Sequence, residues 1–251
     1  GLNQNTPKYG EEWFNGHIAD INDSNALANY TRSYEYDNNN NLTSIKHTGN
    51  NSFTRNIKVD GASNRAVPDS MTGNVSYYFD ANGNMSELEH LRELKWNYRD
   101  NISKATIIKR EDDIDDAEYY IYNSEGERVR KLTRTLKSGG VIEVVEKIYL
   151  GGVEIRRIRS GGSLILERFD SHVMDDKRRI AIVNHWSVDD NYREVNNASE
   201  IGSNKLRYQF DNHINSTSLE LDGAGQLISY EEYYPYGGTS FTTGSSNSEV
   251  K

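Results

Sequence analysis

Apolar and polar positions alternate along this chain in short runs. Leu42-Thr43-Ser44-Ile45, Arg128-Val129-Arg130-Lys131-Leu132 and Gln226-Leu227-Ile228-Ser229-Tyr230 read as loosely alternating stretches, closer to a period of two than to a helical one. That period puts successive side chains on opposite faces and predicts half-buried strands. Val141 to Leu150, Val153 to Ile158, Leu164 to Phe169 and Arg179 to Trp186 read the same way, with Gly151-Gly152, Gly161-Gly162 and Gly237-Gly238 as turn or bulge glycines. Met85 to Leu94 has a helical texture through Leu88 and Leu91. It follows an Asp-Ala-Asn-Gly turn directly, however, and is predicted as strand. Gly61 to Thr72, Glu111 to Asp116 and Val188 to Asn204 lack either period and are expected to be loops.

One signature recurs: aromatic, any residue, aromatic, then Asp or Asn. It appears at Tyr34-Glu35-Tyr36-Asp37, Tyr77-Tyr78-Phe79-Asp80, Tyr120-Ile121-Tyr122-Asn123 and Tyr208-Gln209-Phe210-Asp211, and more loosely at Trp96-Asn97-Tyr98. The copies are separated by near-multiples of about 20 residues, within the range of repeat arrays. A second regularity follows each signature. Asp37 precedes Asn40, Asp80 precedes Gly83, Asn123 precedes Gly126 and Asp222 precedes Gly225, always at the same spacing. Asp or Asn opening a turn that a left-handed residue closes joins two antiparallel strands. The expected fold is all-β: consecutive antiparallel hairpins forming a curved strip.

Composition narrows the functional classes. The chain has 17 Tyr, 20 Gly and only 3 Pro, which suits many strands joined by tight turns. The formal charge of −9 disfavours nucleic-acid binding, which needs a basic face. With no cysteine, disulfides, thiolate zinc sites and a thiol nucleophile are excluded. No run approaches the roughly 18 apolar residues of a membrane helix. The opening Gly1-Leu2-Asn3-Gln4-Asn5 has no signal-peptide pattern and reads as an internal cut or an expression remnant, so it does not indicate a compartment.

Candidate chemistry is sparse. Asp112, Asp113, Asp115 and Asp116 lack the glycine bend and terminal Glu of a calcium loop, so they read as a solvated tip, as do Asp175-Asp176 and Asp189-Asp190. The six histidines, at 17, 47, 90, 172, 185 and 213, show no metal spacing; His185 and His213 read as structural hydrogen-bonders. Ser216, His213 and Asp211 could be drawn as a triad, but no nucleophile elbow accompanies them. Glu231 and Glu232 are adjacent on a strand and so face opposite ways, which prevents them from flanking one bond. No catalytic, cofactor or metal residues are expected, and the protein is not expected to be an enzyme. The recurring aromatics are expected to pack between neighbouring turns, with Asp capping each turn.

Longer stretches carry a resemblance. Tyr34-Glu35-Tyr36-Asp37 followed by Asn41-Leu42-Thr43-Ser44-Ile45 resembles the YD repeat of RHS proteins. Phe79-Asp80-Ala81-Asn82-Gly83-Asn84, Leu94-Lys95-Trp96-Asn97, Gly126-Glu127-Arg128-Val129-Arg130-Lys131 and Ile148-Tyr149-Leu150-Gly151-Gly152 come in the order found in Tc toxin C subunits. So do Leu206 to His213 and Ile228 to Thr239. The similarity covers roughly residues 30 to 241. It implies a B-type toxin subunit or neighbouring RHS repeats as partners, together winding a hollow β shell around an enclosed toxin polypeptide, in a secreted complex. It also implies a structural repeat motif at Tyr34, Tyr36, Asp37, Tyr77, Phe79, Asp80, Trp96, Tyr120, Tyr122, Tyr208, Phe210 and Asp211. The alternative is a repeat module that binds glycans or a cell-surface partner. The family's Asp-Pro autoprotease core has no counterpart here, so self-cleavage is not expected of this stretch, and Ile214-Asn215-Ser216 replaces the family's Leu-Gly-Ser. The expected organisation is a lead-in at 1–29, a repeat strip at 30–238 and a flexible tail at 239–251.

Overall fold

In the computed structural model, residues 2–4, 27–214 and 216–244 are described. They form β1 (Leu2–Gln4), β2 (Leu27–Asn29), β3 (Thr31–Tyr36), β4 (Leu42–Thr48), β5 (Phe53–Val59), β6 (Ala66–Pro68), β7 (Glu93–Trp96), β8 (Ile102–Ile108) and β9 (Asp116–Tyr122). The order continues with β10 (Arg128–Leu136), β11 (Ile142–Tyr149), β12 (Val153–Ser160), β13 (Ser163–Asp175), β14 (Arg178–Asp189), β15 (Asn204–Asp211), β16 (Thr217–Asp222), β17 (Leu227–Tyr233) and β18 (Thr239–Gly244). The only helical elements among the described residues are short 3₁₀ turns. The fold is therefore all-β and antiparallel, as the alternation predicts.

The chain divides into two compact units, each discontinuous in sequence. One comprises Gly1–Ile57, Val173–Ile182 and Lys205–Lys251; the other comprises Lys58–His172 and Val183–Asn204. In the first, β3, β4 and β5 pair in chain order, and so do β15 to β18. In the second, β7 to β13 pair in chain order. Such pairing needs only short connections, so the turn residues govern the register.

Apolar burial is local. Val67, Met71 and Val75 form one cluster, against which Tyr78, Phe79 and Met85 pack. Ile158, Ile165 and Leu166 form another, with Val145 beside it. Between these clusters the sheet is held by polar ladders. Glu146 stands directly opposite Arg157, and Arg157 opposite Glu167, on β11 to β13; Arg130 on β10 reaches Glu146 diagonally, two residues off register, and Arg157 Nε donates to Glu167 at 2.6 Å. Cross-strand pairs of opposite charge support a sheet where little apolar area is available.

Several expectations are corrected. Met85 to Leu94 is neither helix nor continuous strand: isolated bridges join Phe79 to Met85 and Leu88 to Leu91, and β7 begins at Glu93. Tyr77 lies in a 3₁₀ turn, Val75–Tyr78, because Asn74 caps it and Val75 is drawn into the local core. The segment 61–72 contains β6, whose Val67 is 1% exposed. The tail is a strand up to Gly244, because Ser240, Phe241 and Thr243 are buried against β17 and its surroundings. The lead-in falls largely outside the described residues, as do residues 245–251.

The acidic tip is also different. Asp116 is buried, pairs with Arg110 at 2.7 Å and accepts from the Leu136 amide. Asp115 pairs with Lys104 at 3.2 Å. Only residues 111–113 are exposed. In 188–204, Asp189 is buried and its carboxylate accepts from the amides of Arg193, Glu194 and Val195, each at 2.8 Å. A carboxylate that gathers three backbone N–H groups folds a polar insert without an apolar core.

Candidate functional site

The repeated feature is a turn with a fixed hydrogen-bond pattern. In six of these turns, opening at Asp37, Asp80, Asn97, Asn123, Asp222 and Tyr234, the opener's amide donates to the carbonyl four residues on, at 2.7–3.0 Å. In each, the amide of the third residue on returns to the opener's carbonyl. The closing residue has positive φ: Asn40, Gly83, Asp100, Gly126, Gly225 and Gly237. This is a type I turn followed by a left-handed bulge residue.

The opener's side chain explains the preference for Asp or Asn. Asp37 Oδ1 accepts from the amides of Asn39 and Asn41 at 2.9 and 2.8 Å. Asn97, Asn123 and Asp222 repeat the arrangement, and so does Asn212. Hydrogen bonds from the Asn41 side chain and amide hold the Asp37 carboxyl below its usual range; the Asn84 amide and side chain do the same for Asp80. Tyr234 has no such acceptor, and Pro235 presets the turn in its place.

Two signature copies are shifted relative to the sequence reading. At Trp96 the turn opens on Asn97 immediately afterwards, so Tyr98 sits in the turn, 87% exposed, and the strand residue equivalent to Tyr34 is Leu94. At Tyr208 and Phe210 the opener is Asn212. Asp211 remains in β15 and accepts from Thr217 Oγ1 at 2.8 Å.

The aromatic positions do not act alike. Tyr122 donates to the Ile102 carbonyl at 2.9 Å, tying β9 to β8, and Trp96 Nε1 donates to the Met85 carbonyl at 2.7 Å, tying β7 to the segment before it. Tyr120 donates to Glu118, and burial together with that carboxylate pushes its hydroxyl well above the usual tyrosine range. Phe79 packs on the Val67 cluster. Tyr208 and Phe210 share one face of β15, opposite Leu221 and Leu219, and both are exposed, as are Tyr36 and Tyr77. Packing between turns therefore holds for part of the signature only.

Within the first unit, a clasp that the sequence reading missed joins the β3–β5 hairpins to the turn after β17. His47 is buried and stacks between Tyr30 and Phe53, with ring centroids 5.3 and 5.2 Å away. Arg32, directly opposite His47 in the register, donates through Nε to His47 Nδ1 at 2.9 Å and covers the Tyr234 ring. Tyr36 and Tyr236 hydroxyls meet at 2.5 Å, and the Tyr34 ring lies 5.3 Å from Tyr236. The usable signal was the cross-strand pairing of Arg32 with His47. A search for metal spacing could not reveal it.

The same unit contains a cavity of about 330 Å³ lined by Arg179, Gln209, Glu220, Ser229, Glu231 and Tyr233, among others. Glu220 accepts from Arg207, Gln209 and Ser229. Burial alone would raise its carboxyl, but the Arg207 charge and these hydrogen bonds outweigh burial and hold it below its usual range. Several of these polar atoms are engaged with one another. Glu231 and Glu232 turn to opposite sides, toward Tyr233 at 2.9 Å and Tyr230 at 2.8 Å. His185 Nδ1 lies 2.9 Å from Asn204 Oδ1, while His213 is exposed. No group of metal-ligating side chains occurs among the described residues, and no helix there is long and apolar enough to cross a membrane.

Comparison with known proteins gives these hairpins a context. Toxin subunit YenC1 of Yersinia entomophaga is 39% identical over 223 residues, 86% of this chain and 22% of that protein. Toxin subunit YenC2 of the same organism is 34% identical over 235 residues, 91% of this chain and 23% of that protein. A crystal structure of TcdB2-TccC3 superposes with a TM-score of 0.86 at 32% identity, covering the whole chain and 12% of that structure's chain. The Photorhabdus luminescens Tc holotoxin pore gives 0.87 at 33%, again over the whole chain and 11% of its own. No protein-family model matches. The hairpins and these likenesses define the class as antiparallel, repeat-built β proteins of toxin complexes. The chain is a Tc toxin C-subunit-like RHS repeat protein, and it spans about a fifth of the length of the curated relatives it matches.

Proposed function

We propose that this chain is a wall segment of a toxin-complex shell that encloses a cytotoxic polypeptide, with no reaction of its own. The observation that carries the reading is the uniform hairpin connection. Six turns with one hydrogen-bond pattern lay each strand beside its predecessor. Such a wall grows by adding hairpins and leaves open edges, which neighbouring repeats or a B-type partner subunit would cover. Secretion with the complex belongs to the same reading. The test is limited proteolysis of the gene product that carries this chain, assembled with its partner. A toxin segment should resist digestion in the intact protein and be digested when residues 30–238 are deleted. Equal digestion in both would remove the containment reading.

A second reading, glycan contact, is favoured by the exposure of Tyr77 at 78% and Tyr98 at 87%. Glycan-array binding lost in Tyr77→Ser and Tyr98→Ser would support it, and an array without signal would dismiss it.

A further inference from the structure

His47 sits at the centre of the clasp in the first unit, and its neighbour fixes its protonation state. The Arg32 Nε–H can only donate, and it donates to His47 Nδ1 at 2.9 Å. That nitrogen must carry a lone pair, so the imidazole is neutral with its proton on Nε2. The ring is 2% exposed. Arg32 keeps its charge throughout the physiological range, and its guanidinium covers the Tyr234 ring. β3, β4 and β5 belong to one sheet and β17 and β18 to another. The clasp therefore joins two sheets by side chains, through His47, Arg32 and the Tyr36–Tyr236 hydroxyl pair.

The charged and titratable groups that face His47 among the described residues can be named element by element. Arg32 and Tyr34 come from β3, and Tyr30 precedes them. Arg55 on β5 is opposite Ile45, on the His47 side of the sheet. Tyr234 and Tyr236 come from the turn after β17. Burial first, and then Tyr234, holds the Tyr30 hydroxyl above its usual range, so Tyr30 adds no charge. Glu232 is the carboxylate felt at Tyr30, and it accepts from Tyr230 at 2.8 Å. Two fixed cations thus stand against one carboxylate. A proton on His47 Nδ1 would remove the acceptor that Arg32 uses and place two cations at hydrogen-bond distance in a buried site. The stacked rings of Tyr30 and Phe53 would attract an imidazolium, but they cannot replace that acceptor.

We propose that His47 makes this clasp an acid-sensitive latch, closed while the ring is neutral and released when it takes a proton. The sign follows from linkage. The open clasp exposes His47 to water, where histidine binds a proton near pH 6.5, give or take about one unit. The closed clasp binds that proton less readily. Closure is therefore fully favoured above about pH 6.5 and weakens as pH falls below it, by at most about tenfold per pH unit for one proton. Between pH 7.5 and pH 5.5 the open population should rise about tenfold. The latch does not depend on whether a cargo is enclosed.

The test is hydrogen–deuterium exchange of the whole chain at pH 7.5 and pH 5.5, corrected for the intrinsic pH dependence of exchange. Peptides covering 30–36, 42–53 and 231–238 should lose about tenfold in protection at the lower pH. Peptides covering 102–122, in the second unit, should not change. His47→Gln keeps an acceptor for Arg32 and takes up no proton in this range, so its exchange should be alike at both pH values. Unchanged protection in the unsubstituted protein would overturn the proposal. So would the same tenfold loss in His47→Gln, which would assign the effect to another group, or a loss that extends equally to 102–122. If His47→Gln does not fold, the imidazole resonances of the unsubstituted protein decide. His47 should titrate below about pH 6.5, and titration at or above that value would overturn the latch.

Discussion

Arg32 holds its guanidinium carbon 3.3 Å from the centre of the Tyr234 ring. The two residues belong to the β3–β4 and β17–β18 hairpins of one unit, which lie in different sheets, so this contact joins hairpins that no strand pairing connects. Cation–π attraction is strongest when the ion is desolvated, and here the ion is also oriented by His47.

Arg32→Ala removes both the cation over Tyr234 and the donor to His47. The expected loss is about 1–3 kcal/mol. Arg32→Lys should recover little of it, because an ammonium has neither the planar face nor the fixed Nε–H that the site uses. A double-mutant cycle with Tyr234→Leu, followed by urea denaturation, measures the coupling. Additive losses would show that Arg32 and Tyr234 do not act together.

Gly126→Ala isolates the turn. An added Cβ would meet nothing closer than 3.9 Å, so packing is unaffected, while φ is +86°. Only left-handed strain remains, costing about 1–2 kcal/mol. Gly61→Ala, with ordinary φ and open space, should cost much less. Equal melting temperatures for the two variants would contradict the bulge geometry.

The turns were legible in the sequence because their chemistry is local. An Asp or Asn side chain bonds amides two and four residues ahead, so Asp37 and Asn40 announce their turn without reference to the rest of the chain. Signatures read through the aromatics alone slipped. Trp96 and Phe210 lie at different distances from the true openers, Asn97 and Asn212. Roles set by register across strands were not legible. Arg32 and His47 are 15 residues apart and meet only because β3 and β4 pair. Asp116 and Asp189 read as solvated acids, since nothing nearby in sequence shows that Arg110 and a run of three amides would enclose them.

Leu166→Ala tests how much stability the small clusters supply. Leu166 is fully buried against Ile158 and Ile165 in a site with few other apolar neighbours. The expected cost is about 2–5 kcal/mol. Measured chemical denaturation should place it well above Val173→Ala, at an exposed position. A loss below about 1 kcal/mol would mean that the polar ladders, rather than this cluster, hold β12 to β13.

Glu220 ties stability to pH. Its folded carboxyl sits below the usual value because Arg207 and three hydrogen bonds favour the charged form over the opposing effect of burial. A depressed folded value means that the unfolded chain binds the proton more readily. The stabilisation is thus fully present above about pH 4.3, the unfolded value, and is lost as pH falls through the folded one. Glu220→Gln should melt below the unsubstituted protein at neutral pH, because the Arg207 charge loses its counter-ion. The gap should shrink as acid protonates Glu220 in the unsubstituted protein and makes the two side chains alike in charge. Calorimetry between about pH 7 and pH 3 reads that convergence. A gap that stays constant over the range would show that Glu220 acts through hydrogen bonding and packing alone.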